Sequence, residues 1–104
     1  MKPRYERECI KLGEMANEAL NLPKNVDKPK FETINIIKIY NLLEEEIEEL
    51  KYEFFHHGQI NTQKDIHEID FKRAKEELSD CAAVLTGLLA WINKQEEIQQ
   101  DDGA

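Results

Sequence analysis

The segment from residue 78 to residue 92 limits the possible folds more than any other part of the sequence. A helix on a protein surface is apolar along one stripe, but this segment is apolar on most sides. Its apolar residues are Leu78, Cys81, Ala82, Ala83, Val84, Leu85, Leu88, Leu89, Trp91 and Ile92. Such a helix must be surrounded, and a chain of 104 residues has few other helices with which to surround it. We therefore expect a helical protein in which a second subunit covers part of this segment.

Helical periodicity of apolar residues predicts two earlier helices, over residues 3–20 and about 31–55. Between them, residues 21–30 contain prolines and polar residues that disfavour a helix, so they are predicted to be a linker. The last helix is predicted to begin at residue 65 or 70 and to continue to about residue 99. A break near Ile69 remains an alternative.

These elements predict one all-α domain spanning residues 1–104, with three long helices and a polar tail that frays from about residue 96. A dimer of this unit would form a four-helix-type bundle, and a tetramer is the alternative. The composition agrees, because 35% charged residues with only 4 Gly and 3 Pro favour long amphipathic helices.

The charge and apolar content exclude several partners. The formal net charge is -8, which repels the phosphate backbone of nucleic acids. No apolar run approaches the roughly 20 residues that span a bilayer, and the N-terminal residues lack the apolar core of a signal peptide. Cys9 and Cys81 lie in helical apolar patterns and are interpreted as buried packing residues. We expect a soluble cytoplasmic protein that binds neither membranes nor nucleic acid.

Two acidic motifs lie on different predicted helices. The first is the run from Glu44 to Glu49, and the second contains Glu77 and Asp80. Residues spaced i, i+3 on a helix are neighbours, so Glu46 with Glu49, and Glu77 with Asp80, can each direct two carboxylates to one point. Both pairs lie at the edge of their helix's apolar stripe.

If these two edges meet, four carboxylates converge and repel one another. At 4 Å, two like charges repel by about 4 kcal/mol at an effective dielectric of 20, so the cluster requires a cation. Hard oxygen ligands favour magnesium, which also binds phosphate groups. The register Glu44-Glu45-x-x-Glu48 fits the spacing too, but it points to the opposite edge of the stripe.

The pattern Glu45-Glu46-x-x-Glu49, followed after a long gap by Glu77-x-x-Asp80, resembles the signature of the MazG-like all-α nucleoside triphosphate pyrophosphohydrolases. The resemblance covers roughly half of the chain. It implies a hydrolase that cleaves a nucleoside or deoxynucleoside triphosphate between the α and β phosphates, releasing a monophosphate and pyrophosphate. It also implies a house-cleaning role in nucleotide pools.

By this resemblance, the magnesium ligands are Glu46, Glu49, Glu77 and Asp80. Glu46 also belongs to the catalytic group, which Glu45 and Glu76 complete by supporting or orienting the ligands. Manganese is an alternative cofactor. The base and the sugar of the substrate are not predicted.

Three further residues are candidates for substrate binding. Lys38 and Arg73 lie in line with the predicted ligands and could contact phosphates, although such residues commonly pair with acids one helical turn away. Trp91 could stack on a base, although a tryptophan in an apolar helix is more often part of a core or an interface.

Two alternatives belong to other functional classes. An acidic run on a helix is usually a solvated face, so the chain could be a non-catalytic helical oligomer that acts as an interaction protein. It could also bind metal and nucleotide as a sensor without hydrolysing the nucleotide.

Overall fold

The computed structural model of the chain describes residues 3–103, and within this range the protein is all-α, as predicted. Four α-helices are present: α1 (Glu6–Leu20), α2 (Pro23–Val26), α3 (Ile36–Phe54) and α4 (Phe71–Gly103). Short 3-10 helices occupy Phe31–Thr33, His56–Gly58 and Ile66–Glu68. The described residues contain no strand, only an isolated antiparallel bridge between Phe55 and Gln63.

The long helix α4 is the centre of the fold. Both α1 and α3 pack against it, and so does the 3-10 helix Phe31–Thr33. With 33 residues at about 1.5 Å each, α4 is about 50 Å long, which accounts for the 56 Å longest dimension. The buried residues are mostly small and belong to these helices: Ala16, Ala19, Ile39, Ala74, Cys81, Ala82, Ala83 and Val84.

The first two long helices begin later than the periodicity predicts. Tyr5 has a left-handed conformation with φ of 60°, so α1 begins at Glu6 rather than near residue 3. Ile34 and Asn35 are extended, and the Asn35 side chain caps α3 by accepting a hydrogen bond of 2.8 Å from the Ile37 N–H. The apolar stripe extends upstream of this cap, but the backbone there is not α-helical.

The predicted linker at residues 21–30 contains the short helix α2. Pro23 lies in the first turn of α2, where its missing N–H is not needed. The Asn25 side chain donates a hydrogen bond of 2.7 Å to the Ala19 carbonyl, which holds this segment against the end of α1. The linker is therefore a structured wall beside α4.

The predicted break near Ile69 is present. Asp65 caps the 3-10 helix Ile66–Glu68, Ile69 is extended, and α4 begins at Phe71. At its other end α4 continues to Gly103, beyond the predicted end near residue 99 and through the tail expected to fray. The glutamines and glutamates of this tail are good helix formers, which is consistent with a longer helix than predicted.

Burial differs for the two cysteines. Cys81 is buried, as predicted, whereas Cys9 is exposed, so the prediction that both are buried is wrong for Cys9. Cys9 lies on the same face of α1 as the buried Ala16, seven residues later, so its exposure shows that this face is left uncovered near the start of the helix. Among the described residues, no helix is both long enough and apolar enough to cross a membrane.

One face of α4 remains uncovered by the rest of the chain. Phe71, Leu78, Leu85 and Ile92 occur at every seventh position and are 41–51% exposed, and Leu89 beside them is 56% exposed. The apolar residues that the sequence predicts on most sides of this helix therefore lie on two faces. One face packs against α1 and α3, and the other is apolar but exposed.

The contrast between two isoleucines of α3 tests the packing on α4. Ile39 is completely buried and Ile37 is 65% exposed. Ile39→Ala should lower the free energy of unfolding by about 2–5 kcal/mol, because it leaves a cavity in the core. The control Ile37→Ala should change the free energy of unfolding by less than about 0.5 kcal/mol. Urea unfolding measures both, and equal losses would contradict the described interface.

Candidate metal and nucleotide site

The acidic residues of α3 and α4 meet where these two helices pack. Glu46 follows the buried Ile39 by two helical turns, so it lies on the side of α3 that faces α4. Glu77 lies between the buried residues Ala74 and Cys81 along the contact face of α4. The small side chains beside Glu77 allow the helices to approach closely enough for their carboxylates to meet.

Three carboxylates form a compact cluster. One oxygen from each of Glu46, Glu77 and Asp80 lies within 4.8 Å of the other two. All three residues are half-buried. Among residues 3–103, these three are the acidic, histidine or cysteine side chains that lie close enough together to hold one metal ion. The two predicted motifs therefore come together in space.

Glu49 borders this cluster. Its side chain is exposed, and it is not one of the three residues whose oxygens lie within 4.8 Å of one another. Its charge nevertheless raises the pKa of both Glu46 and Glu77, so its carboxylate lies close to both. The four predicted ligands thus occupy one region, with Glu49 on the solvent side.

Two oxygen atoms in the cluster have no hydrogen-bond partner among residues 3–103. Oε2 of Glu46 and Oε2 of Glu77 are both buried and unpaired. A buried acceptor without a partner costs about 1–3 kcal/mol, and more if it is charged. No N–H or O–H group of residues 3–103 reaches these atoms, so a proton or a cation would be needed to satisfy them.

The pKa values reflect burial and mutual repulsion. Burial, followed by the charges of Glu49 and Asp80, raises the pKa of Glu46 to about 7. Burial and the neighbouring Glu49 raise the pKa of Glu77. Burial also raises the pKa of Asp80, although the positive charge of Lys24 opposes this shift. Each carboxylate is therefore hard to ionise while the cluster holds no cation.

The chemistry of these donors fits a hard divalent ion. Magnesium binds oxygen at about 2.0–2.1 Å, so two ligands of one ion lie at most about 4.2 Å apart. The separations of up to 4.8 Å exceed this limit by little, and small side-chain rotations would close them. Cys81 beside the cluster is unsuited to ligation, because burial and the surrounding carboxylates raise the pKa of its thiol to about 11.

The other predicted catalytic residues lie outside the compact cluster. Glu76 is exposed, and its charge contributes to the raised pKa of Asp80. Glu45 is also exposed and borders an open depression on another side of α3, together with Asn41, Glu44, Glu48 and Glu49. Glu48 pairs with Lys51 at 2.9 Å. Of the two registers considered for the first motif, the one containing Glu46 faces the cluster.

The predicted substrate-binding residues have different surroundings. Arg73 pairs with Glu53, with 3.3 Å between Nε and Oε2, and Glu53 is near enough to Glu77 to raise its pKa. Lys38 is exposed and Trp91 is half-buried. None of these three residues lines the cavity that adjoins the cluster.

That cavity has a volume of about 570 Å³ and includes Glu46 and Asp80 in its wall. Its basic lining residues are Lys24, Lys28 and Lys30, which the sequence analysis did not single out. A signal for them was present, since three lysines occur close together between residues 24 and 30 of a chain with a net charge of -8. Without the fold, nothing connected this segment to the acidic motifs.

The pH dependence of the metal-free protein tests the repulsion within the cluster. The pKa of Glu46 is about 7 in the folded chain and ordinarily 4.5. At pH values between these two, the folded state therefore binds more protons than the unfolded state does. The free energy of unfolding should therefore fall as the pH rises from about 4.5 to about 7.

Glu46→Gln should reduce this dependence and raise the melting temperature in EDTA at pH 8, with little effect at pH 5; Glu77 and Asp80, whose pKa values are also raised, retain the remainder. Glu45→Gln, an exposed neighbour on the same helix, is the matched control and should change little at either pH. Thermal denaturation followed by circular dichroism gives the melting temperature of each variant at each pH. A lower melting temperature for Glu46→Gln at pH 8 would indicate a stabilising ion pair instead of repulsion.

Comparison of the chain with protein-family models, with curated proteins and with solved structures found no match. The geometry and chemistry of the described residues are therefore the basis for assigning a function. The convergence of the two acidic motifs and the adjoining cavity are the observations that carry it.

Proposed function

We propose that the chain is a magnesium-dependent nucleoside triphosphate pyrophosphohydrolase of the MazG-like type. The substrate is a nucleoside or deoxynucleoside triphosphate, and water converts it to the monophosphate and pyrophosphate. The single observation that carries the proposal is the meeting of Glu46, Glu77 and Asp80, with two buried carboxylate oxygens that have no partner. The resemblance of the two motifs to this superfamily supports the same conclusion.

In this proposal Glu46, Glu49, Glu77 and Asp80 hold the metal. When bound, magnesium or manganese lowers the pKa of coordinated water and neutralises charge on the phosphates. The carboxylates fix its position at the junction of α3 and α4. Glu45 and Glu76, which immediately precede Glu46 and Glu77 in the chain, support or orient the ligands.

The reaction is a substitution at the α phosphorus. An oxygen of water forms the new bond to this phosphorus, and the bond from it to the oxygen bridging the α and β phosphates breaks. Pyrophosphate leaves with the electron pair of that bond, and the proton of the water passes to a nearby carboxylate and then to solvent. A site that clusters negative charge can approach a triphosphate only when a divalent ion lies between them.

Metal binding is tested by thermal denaturation in the presence of magnesium. Millimolar magnesium should raise the melting temperature of the parent, and at 100 times the dissociation constant the stabilisation is about 2.7 kcal/mol. Glu46→Gln and Asp80→Asn should each abolish the rise. Glu44→Gln removes the same charge from an exposed position and should preserve it. If the parent does not respond, the acids serve only solubility and the chain acts as an interaction protein.

Catalysis is tested separately by measuring pyrophosphate release from a panel of ribo- and deoxynucleoside triphosphates. We expect magnesium-dependent release from at least one member, with loss of about 10-fold or more in Glu77→Gln, since even outer-shell changes at metal sites cost 10–100-fold. Binding of magnesium and nucleotide without any release would identify a sensor in place of an enzyme.

We also propose that a second copy of the chain covers the exposed face of α4, in a homodimer or homotetramer. The positions Phe71, Leu78, Leu85 and Ile92 repeat every seven residues, which is the spacing of helices that associate along a seam. They extend over about 30 Å of helix at about 1.5 Å per residue. The same proposal locates the protein in the cytoplasm, where the triphosphate pool is hydrolysed.

Sedimentation velocity tests this association. Leu85→Glu should reduce the assembled mass to that of a monomer, because a charge would be buried in the seam. Ile10→Glu changes an exposed apolar residue on α1 and is the control, which should sediment as the parent does. Circular dichroism checks that both variants remain helical. A monomeric parent would contradict the proposal.

A further inference from the structure

The cavity beside the acidic cluster is built from three parts of the chain. One wall is the segment from the end of α1 through Ile34, which includes α2. The opposite wall is the stretch of α4 from Asp80 to Ala90, and α3 contributes Leu42 and Glu46. Because Glu46 and Asp80 belong both to this cavity and to the cluster, a ligand in the cavity would contact a metal held by the carboxylates.

Most of the charges in the cavity are separated, although Glu32 also lines it and belongs to the same segment as the lysines. The carboxylates of Glu46 and Asp80 lie on the α3 and α4 side, and the ammonium groups of Lys24, Lys28 and Lys30 belong to the opposite segment. Lys24 lies near enough to Asp80 for its charge to act on that carboxylate. None of these three lysines forms an ion pair within residues 3–103, since the observed pairs involve Lys11, Lys51, His56 and Arg73. Their ammonium groups are therefore free to bind an anion.

The remainder of the cavity is largely apolar, and its shape depends on a close contact. The ring of Phe31 lies directly over Gly87 of α4, where a Cβ atom would overlap the ring. A glycine in the interior of a helix destabilises the helix by about 1 kcal/mol relative to alanine. The contact between Phe31 and Gly87 therefore comes with a loss of helix stability. Phe31, together with Val84 and Ala90, gives the cavity an aromatic and aliphatic surface next to its charged end.

A nucleotide matches this combination better than an inorganic polyphosphate does. A volume of about 570 Å³ is within the range of small-molecule sites, about 300–1,000 Å³. If an inorganic anion occupied the cavity, the apolar wall would remain exposed to water, whereas a nucleoside would cover this wall. The triphosphate of the same molecule would reach both the carboxylate-bound metal and the lysines.

We propose that this cavity binds the nucleoside triphosphate, with Lys24, Lys28 and Lys30 contacting its phosphates and the nucleoside lying against the wall formed by Phe31. The inference rests on the proposed function, because the metal at the acidic cluster bridges the protein to the same phosphates. It assigns phosphate binding to the segment before α3, and not to Lys38 or Arg73. Arg73 instead neutralises Glu53 at the far end of the cluster.

Removal of the three lysines tests phosphate binding. The variant K24Q/K28Q/K30Q is compared with K72Q/K75Q/K94Q, in which the same charge is removed from exposed lysines of α4 that do not line the cavity. The probes are manganese alone, and a non-hydrolysable nucleoside triphosphate with an imido bridge between its α and β phosphates, added with magnesium. Isothermal titration calorimetry measures both affinities, and pyrophosphate release gives kcat and KM.

The cavity variant should bind manganese as tightly as the parent or more tightly, since an opposing positive charge is gone. Its Kd for the imido analogue and its KM should rise by about tenfold or more, because hydrogen bonds to charged groups are lost. The α4 control should stay within about twofold of the parent. Unchanged Kd and KM in the cavity variant, with hydrolysis intact, would overturn the lysine assignment and leave the proposed function standing. Failure of the parent to bind manganese would overturn both.

A second comparison tests the apolar wall. The parent should bind the imido nucleotide more tightly than inorganic tripolyphosphate, and Phe31→Leu should weaken only the nucleotide. Tyr40→Leu, at an exposed position of α3 outside the cavity, should weaken neither ligand. Equal affinity of the parent for both ligands would show that the nucleoside does not lie in this cavity.

Discussion

The close packing of α3 on α4 is the interaction on which the rest of the structure depends. α4 presents mostly small side chains to its neighbours, including Ala74, Cys81 and Ala82. Small residues let two helix backbones approach, and that approach brings the carboxylates of Glu46 and Glu77 into one half-buried cluster. A core of larger side chains would separate these acids by several ångströms. The burial that stabilises the fold therefore also creates the electrostatic strain at its candidate site.

This strain indicates why the cluster suits a cation. The carboxylates raise one another's pKa, and two of their buried oxygens accept no hydrogen bond. In a purely structural cluster, arginine or lysine would be expected to pair with these oxygens, as Arg73 pairs with Glu53 nearby. Lys24, whose charge acts on Asp80, instead belongs to the wall of the adjoining cavity. Positive charge thus lies in the cavity wall, next to the three carboxylates, which is the arrangement that the proposed binding of phosphate and metal requires.

Much of the fold could be predicted from periodicity, because long apolar stripes at helical spacing have few alternatives. The stripe that contains Ile39 predicts α3, and the spacing of Glu77 and Asp80 predicts that both point to one side of α4. Helix ends were harder to predict, since they depend on single residues such as Tyr5 and Asn35, whose backbone conformations interrupt an otherwise continuous pattern. The burial expected for Cys9 was wrong because periodicity identifies a stripe without showing whether another element covers it.

The sequence by itself determined the helical class, the pairing of acids one turn apart and the carboxylate chemistry of the candidate site, because these depend only on local geometry and side-chain chemistry. Tertiary structure alone decided that Glu46 meets Glu77 and Asp80, and that a lysine-containing segment faces α4 across a cavity. It also decided which apolar face of α4 is covered and which is exposed. These outcomes depend on the rotation of each helix against its neighbour and on contacts between residues far apart in the chain, which no local pattern encodes.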